Sequence, residues 1–242
     1  MRDTKYDILY KTEKSHWWYR ARRVLVSGLV ERHRAELGKT LCILDVGCGT
    51  GLLMRELQIF GKVDGVDISK LAVAYCNKRG LVPTISSAEH LPYPDRSFDV
   101  VIILDVLEHL LDDGAGAKEI ARVLTMSGIG IITVPAFKFL WGITDTDSQH
   151  YRRYTRKEIV AVLEGAGLKV QRSTYFNAFL FPPIAAIRFV VRAFNISVKS
   201  ENAMGCGILN YILYRIFSLE IYLLRYINFP IGVSVLVIVS KK

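Results

Sequence analysis

The chain has 242 residues, 51% of them hydrophobic and 23% charged, with a net charge of +9 at neutral pH. That length suits one large domain with an elaboration and a sizeable core. No uncharged apolar run reaches the roughly 20 residues needed to span a bilayer, and Met1-Arg2-Asp3-Thr4-Lys5 lacks the apolar core of a secretory leader, so a cytoplasmic protein is expected.

Cys42, Cys48, Cys76 and Cys206 show neither Cys-x-x-Cys spacing nor histidines at zinc-site offsets, so they read as reduced thiols and no metal site is expected. Charge is unevenly spread. Residues 41–150 carry 9 basic and 14 acidic groups, whereas residues 151–242 carry 13 basic and 4 acidic ones. The acidic stretch suits a cationic ligand, the basic one an anionic substrate or membrane surface.

In chain order, residues 15–36 read as a helix rich in aromatics and arginine. The apolar run Leu41-Cys42-Ile43-Leu44 predicts a buried strand feeding Asp45-Val46-Gly47-Cys48-Gly49-Thr50-Gly51, which opens a helix through Leu52, Leu53 and Leu57. Glycines there let backbone N–H groups approach a ligand at the positive end of a helix. A second strand near 62–66 ends in Asp67, 20 residues after Gly47, the offset at which a carboxylate can accept ribose hydroxyls. The G-x-G-x-G spacing disfavours a dinucleotide. Further strands are expected near 82–86, 98–104 and 128–134, with helices between, and this alternation predicts a parallel sheet. Thr155 and Glu158 have capping-box spacing for another helix, stopped at Gly165-Ala166-Gly167. Strands at 168–176 and 233–239 complete the set.

The Asp45–Gly51 motif resembles the first motif of the class I S-adenosylmethionine-dependent methyltransferases, specifically their small-molecule, methyltransferase type 11-like branch. Three further stretches carry the resemblance. They are Asp67, the loop Ser87-Ala88-Glu89-His90-Leu91-Pro92-Tyr93-Pro94, and a fourth strand ending in Leu104-Asp105-Val106-Leu107-Glu108-His109-Leu110. The resemblance covers roughly residues 40–176 and the last strand. It implies a Rossmann-like α/β fold, a seven-stranded mostly parallel sheet with helices on both faces and, here, a helical insertion before the last strand. The expected divisions are a helical cap at 1–40, the cofactor-binding core at 41–176, an insertion at 177–232 and the last strand at 233–242.

The resemblance also implies S-adenosylmethionine as cofactor. Gly47, Gly49 and Gly51 would admit its methionine portion and Asp45 would orient the ammonium. Asp67 would take the ribose, Ile68 would flank the adenine, Ala88 and Glu89 would lie near the adenine amino group, and Leu104 and Asp105 would line the methionine side. Many relatives place Asp directly before that Ala; this chain has Ser87.

The substrate side rests on two aromatic and basic clusters. Trp17, Trp18 and Tyr19 lie in the leading helix, and His150, Arg152, Arg153 and Tyr154 follow the fifth strand. Arginines could grip an anionic group bidentately. Equally, Arg152 and Arg153 could pair with Asp145 and Asp147, and the tryptophans could pack as core. His109 and His150 are the general-base candidates, because histidine titrates near neutral pH.

About 55 residues, from Asn177 to Gly232, separate the last two strands where the family has a short connection. The segment is apolar but carries Arg188, Arg192, Arg215 and Arg225. Such a sequence fits an anionic membrane surface at the inner face of the membrane. It fits equally a helical cap on the sheet or on a second subunit of a homodimer. The acceptor is therefore expected to be a small or lipid-linked, anionic molecule methylated on oxygen or nitrogen. A nucleic-acid methyltransferase is disfavoured: neither Pro-Pro-aromatic nor Pro-Cys follows the fourth strand. A non-catalytic cofactor-binding regulatory protein is the third reading.

Overall fold

In the computed structural model, residues 3–194 and 207–242 are described. Cys206 lies outside them. Seven strands form one sheet: β1 (Leu41–Val46), β2 (Gly61–Asp67), β3 (Thr84–Ile85), β4 (Phe98–Leu104), β5 (Leu124–Pro135), β6 (Leu168–Phe176) and β7 (Ser234–Lys241). Their order is β3-β2-β1-β4-β5-β7-β6. The first five run parallel, and β7 inserts between β5 and β6, antiparallel to both. The strand order reverses at β1, with β2 and β3 on one side and β4 and β5 on the other, so the carboxyl ends of β1, β2 and β4 open a crevice where such sheets bind ligands.

Helices cover both faces. On one, α5 (Asp113–Val123) and α7 (Arg156–Gly165) bury Ile120, Val123, Ile159 and Leu163 against Val101, Ile103 and Val237. Thr155 Oγ1 accepts from the Glu158 amide and the Glu158 carboxylate accepts from the Thr155 amide, so the expected capping box forms. On the other face, α2 (Trp17–Leu37) and α9 (Ile208–Leu223) bury Leu25, Val26, Val30, Phe217 and Ile221 against Ile43, Ile102, Ile131 and Phe176.

The insertion thus divides. Its α9 is core, and removing a side chain such as Phe217 from water contributes about 1.5–3 kcal/mol. Its other helix, α8 (Phe181–Ala193), buries no residue. Among the described residues no helix is long and apolar enough to cross a membrane.

Two elements depart from the sequence reading. The third strand shrinks to Thr84–Ile85, both exposed at the sheet edge. A helix absent from that reading, α1 (Asp3–Thr12), precedes α2 and lies against α4 (Lys70–Asn77) and the glycine turn.

Candidate active site

The Asp45–Gly51 segment turns tightly because Gly47, Gly49 and Gly51 all take positive φ (72°, 57° and 79°). At Gly47 a Cβ would sit 2.4 Å from Cγ2 of Val106, and at Gly51 one would sit 2.7 Å from Cys76 Sγ, so side chains there would collide with the wall behind the turn. The amides of Gly47 and Cys48 donate to the Val66 carbonyl at 2.8 and 3.0 Å, fixing the turn to β2.

Asp67, at the end of β2, accepts from the Gly49 amide at 2.9 Å through Oδ2 and from the Ser69 amide at 2.9 Å through Oδ1. Its carboxyl is raised above its ordinary range by burial, against the pull of those bonds. Burial pushes the Asp45 carboxyl up to about 7, with the Arg22 charge opposing and Asp67 adding to the rise. Two buried carboxylates short of positive charge, beside a glycine turn, fit a ligand with an ammonium, a sulfonium and ribose hydroxyls. These are the groups of S-adenosylmethionine.

The adenine-side loop is tied from beneath. The Ser86 amide donates to the Asp67 carbonyl at 3.2 Å, and Arg122 on α5 donates to the Leu91 and Tyr93 carbonyls at 2.9 and 2.7 Å. Glu119 accepts from the Leu91 amide at 2.6 Å and holds Arg122 on the same helix. Ala88 is buried and Glu89 half-buried beside Ser87, whose hydroxyl accepts from the Glu89 amide at 3.2 Å. Ile68 is exposed.

Leu104 ends β4 and Asp105 follows it. Asp105 takes φ 55° and accepts from Thr133 Oγ1 at 3.1 Å, and it pairs with Arg22. Tyr19 lies near Arg22 and Asp105, its hydroxyl pKa raised mainly by burial.

The N-terminal helix supplies residues that the sequence reading missed. Tyr6 is buried with its hydroxyl 3.4 Å from Asp67 Oδ1, and Leu9 packs over Gly49. Glu13 accepts from Thr50 Oγ1 at 2.5 Å and pairs with Arg79, both side chains being buried. Nothing in the local sequence marks this helix as part of the site, because Tyr6 and Asp67 are 61 residues apart.

The substrate-side candidates separate. Trp17 and Trp18 are half-buried, and Trp18 stacks on Phe176 at 5.8 Å and on Phe217 at 5.5 Å, so both lean into the core. Arg153 is buried, donating to Asp145 Oδ1 and the Ala136 carbonyl at 2.8 Å each. Arg152 donates to the Leu110 and Leu111 carbonyls and pairs with Asp113, which also accepts from the Tyr154 hydroxyl at 2.7 Å. These residues pin the segment after β5 to the segment after β4.

That pinning brings His109 and His150 together, their rings perpendicular with centroids 4.6 Å apart. His150 Nδ1 lies 2.8 Å from Asp145 Oδ1. His109 is pushed down to about 4, first by burial and then by the His150 charge, so its imidazole is neutral at physiological pH. Glu108 is fully buried beside them and was passed over in the sequence reading. The signal was present: a carboxylate inside the apolar run Val106-Leu107-Glu108-His109-Leu110.

A doubly wound sheet with a glycine turn after β1, an aspartate at the end of β2 and an antiparallel final strand is a Rossmann-like fold with a cofactor-binding crevice. Residues 44–132 match the family described as Methyltransferase domain. A Mycobacterium tuberculosis protein named "Probable S-adenosylmethionine-dependent methyltransferase" is 31% identical over 157 residues, 63% of this chain and 56% of that relative. The chain therefore spans little more than half of that relative's length. An uncharacterized Methanocaldococcus jannaschii protein is 30% identical over 65% of this chain and 78% of its own length. A solved S-adenosylmethionine-dependent methyltransferase from Thermotoga maritima superposes with a TM-score of 0.58 at 19% identity, covering 99% of this chain and 96% of that one. The chain belongs to the class I S-adenosylmethionine-dependent methyltransferases, with S-adenosylmethionine as cofactor.

Proposed function

We propose that the protein transfers a methyl group to an oxygen or nitrogen of a small or lipid-linked, anionic acceptor. The observation that carries this reading is the glycine turn and Asp67 at one end of the sheet, with the His109–His150 pair on the adjoining segment. Val106, which touches the turn, precedes Glu108 by two residues.

S-adenosylmethionine, when bound, supplies a methyl group made electrophilic by a positively charged sulfur. This chain must hold donor and acceptor in line, exclude water and remove a proton where the acceptor carries one. Gly47, Gly49 and Gly51 leave room for the donor. Asp45 and Asp67 meet its cationic and hydroxyl groups, and α1 screens the turn from water. Asp145, as an acceptor-only carboxylate, keeps a hydrogen on His150 Nδ1, so Nε2 is the ring nitrogen left to take a proton.

Support for a lipid-linked acceptor comes from α8, with Phe194 directly after it, and α9, which expose Ile187, Phe189, Phe194, Tyr211, Ile212 and Tyr222. Exposed apolar and aromatic side chains on amphipathic helices fit a membrane interface. The arginines contribute less than their number suggests. Arg188 reaches to 3.7 Å from Asp145, and Arg192 donates to the Trp141 carbonyl, so both turn toward the post-β5 segment.

The direct test is calorimetry with S-adenosylhomocysteine on the parent and on Asp67→Ala. Loss of ribose bonds should weaken binding by about 1.5–3 kcal/mol. Equal affinity would remove Asp67 from the cofactor site. For the acceptor, labelled donor is incubated with cell extract separated into aqueous and lipid pools. Label confined to the aqueous pool would reject a lipid-linked acceptor.

A further inference from the structure

Glu108 poses a problem that methyl transfer alone does not solve. It is completely buried, and neither carboxylate oxygen has a hydrogen-bond partner. Taking a carboxylate out of water without a partner costs several kcal/mol. Its surroundings are not apolar by accident, because two imidazoles face it. His150 Nε2 lies 4.0 Å from Glu108 Oε1, and one donor atom from each of Glu108, His109 and His150 lies within 4.8 Å of the other two.

We propose that Glu108, His109 and His150 hold a divalent first-row transition-metal ion at the edge of the cofactor crevice, with open positions for an acceptor oxygen.

The support around these three groups is what a metal site needs. Ligating histidines are oriented through their other nitrogen, usually by a carboxylate or a backbone carbonyl. His150 Nδ1 is held by Asp145, itself fixed by Arg153 Nε at 2.8 Å and the Gly142 amide at 2.7 Å, so Nε2 is left on the Glu108 side. The Gln149 backbone lies beside the His109 ring. Two imidazoles and one carboxylate suit Zn²⁺, Fe²⁺, Mn²⁺ or Co²⁺ rather than Ca²⁺ or Mg²⁺, which take oxygen donors. Donors about 2.0–2.2 Å from an ion are roughly 3–3.5 Å from one another, so loading draws the side chains inward by about 1 Å. The ion's positive charge would also compensate the buried Glu108 carboxylate.

The consequence for chemistry deepens the proposed function and rests on it; the ion site itself does not. An acceptor hydroxyl on an open position gives up its proton to water more readily than a free one, keeping its electron pair for the methyl carbon. His109 and His150 are then ligands, and the ion replaces a general base.

The test uses the untagged full chain, stripped with a chelator and titrated with Co²⁺ followed by absorption, then with Zn²⁺ by calorimetry. The expected result is one ion per chain, with a ligand-field spectrum showing nitrogen and oxygen donors. Glu108→Gln and His150→Gln should each weaken Co²⁺ binding by more than about tenfold, while S-adenosylhomocysteine affinity, measured separately, stays at the parent value. Should Glu108→Gln fail to fold, His150→Gln carries the comparison. A parent that binds the cofactor product but shows no Co²⁺ spectrum overturns the site, as do variants that bind Co²⁺ as tightly as the parent. Loss of cofactor-product binding in the parent would instead strike the methyltransferase reading.

Discussion

Gly47→Ala tests how tightly the cofactor turn is built. At φ 72° an L-residue other than glycine sits in the left-handed region, which costs about 1–2 kcal/mol. The new methyl group would also lie 2.4 Å from Val106 Cγ2, well inside contact, and overpacking of this kind costs about 1–3 kcal/mol. Together these predict a loss of about 2–5 kcal/mol, or a fall in Tm of about 4–20 °C for a chain of this size. The two contributions can be separated. Val106→Ala removes the steric part but not the backbone part, so adding it to Gly47→Ala should restore about 1–3 kcal/mol, read as a coupling energy in a double-mutant cycle by denaturant unfolding. S-adenosylhomocysteine affinity should fall in the single variant and recover partly in the double. A Gly47→Ala variant within 1 kcal/mol of the parent, or a double variant no better than the single, would refute the close approach of Val106 to the turn.

Glu119→Gln should loosen the adenine-side loop, costing about 1–2 kcal/mol at pH 7 after allowance for its partial exposure. The Arg122 hydrogen bond holds the Glu119 carboxyl below its ordinary 4.5, with burial opposing. Its stabilisation is therefore present above that value and lost as pH falls through the lowered one, and parent and variant unfolding curves should converge in that acidic range. Arg153→Met leaves buried Asp145 short of a cation and should cost about 3–5 kcal/mol in urea unfolding. An effect under 1 kcal/mol would show that the post-β5 segment is held elsewhere. Phe189→Ser with Phe194→Ser should reduce co-flotation with anionic liposomes. A parent that never floats and runs as a dimer would assign the apolar surface to a second subunit.

Local rules made the core legible. Leu41–Leu44 had to be a strand because an apolar run stops at a glycine turn, and Thr155 with Glu158 announced a helix start through two complementary hydrogen bonds. What escaped the sequence depends on distant pairing. The resemblance implied a mostly parallel sheet, but nothing in Val233–Val239 told that β7 enters between β5 and β6, antiparallel to both. The short helix α1 shows weak periodicity and gains its role through Tyr6 and Leu9, with Glu13 just after it, meeting residues far along the chain. The pairing of Arg153 with Asp145 was one of the two readings the sequence allowed, but Arg152 meets Asp113, 39 residues before it, rather than Asp147, and that match exists only in three dimensions.

The placement of α1 has a kinetic side. Tyr6 rests on Asp67, Leu9 lies over Gly49, and Glu13 is locked to Thr50 and Arg79, so any molecule in the crevice is overlain by the chain's own beginning. A demethylated cofactor lying along the glycine turn and Asp67 would have to leave past that helix, and lifting it would break the buried Glu13–Arg79 ion pair. Turnover should consequently be limited by product escape: rapid-quench traces should show a first-turnover burst followed by a slower steady phase. Arg79→Met, by weakening the latch, should raise the steady rate while leaving the burst rate nearly unchanged.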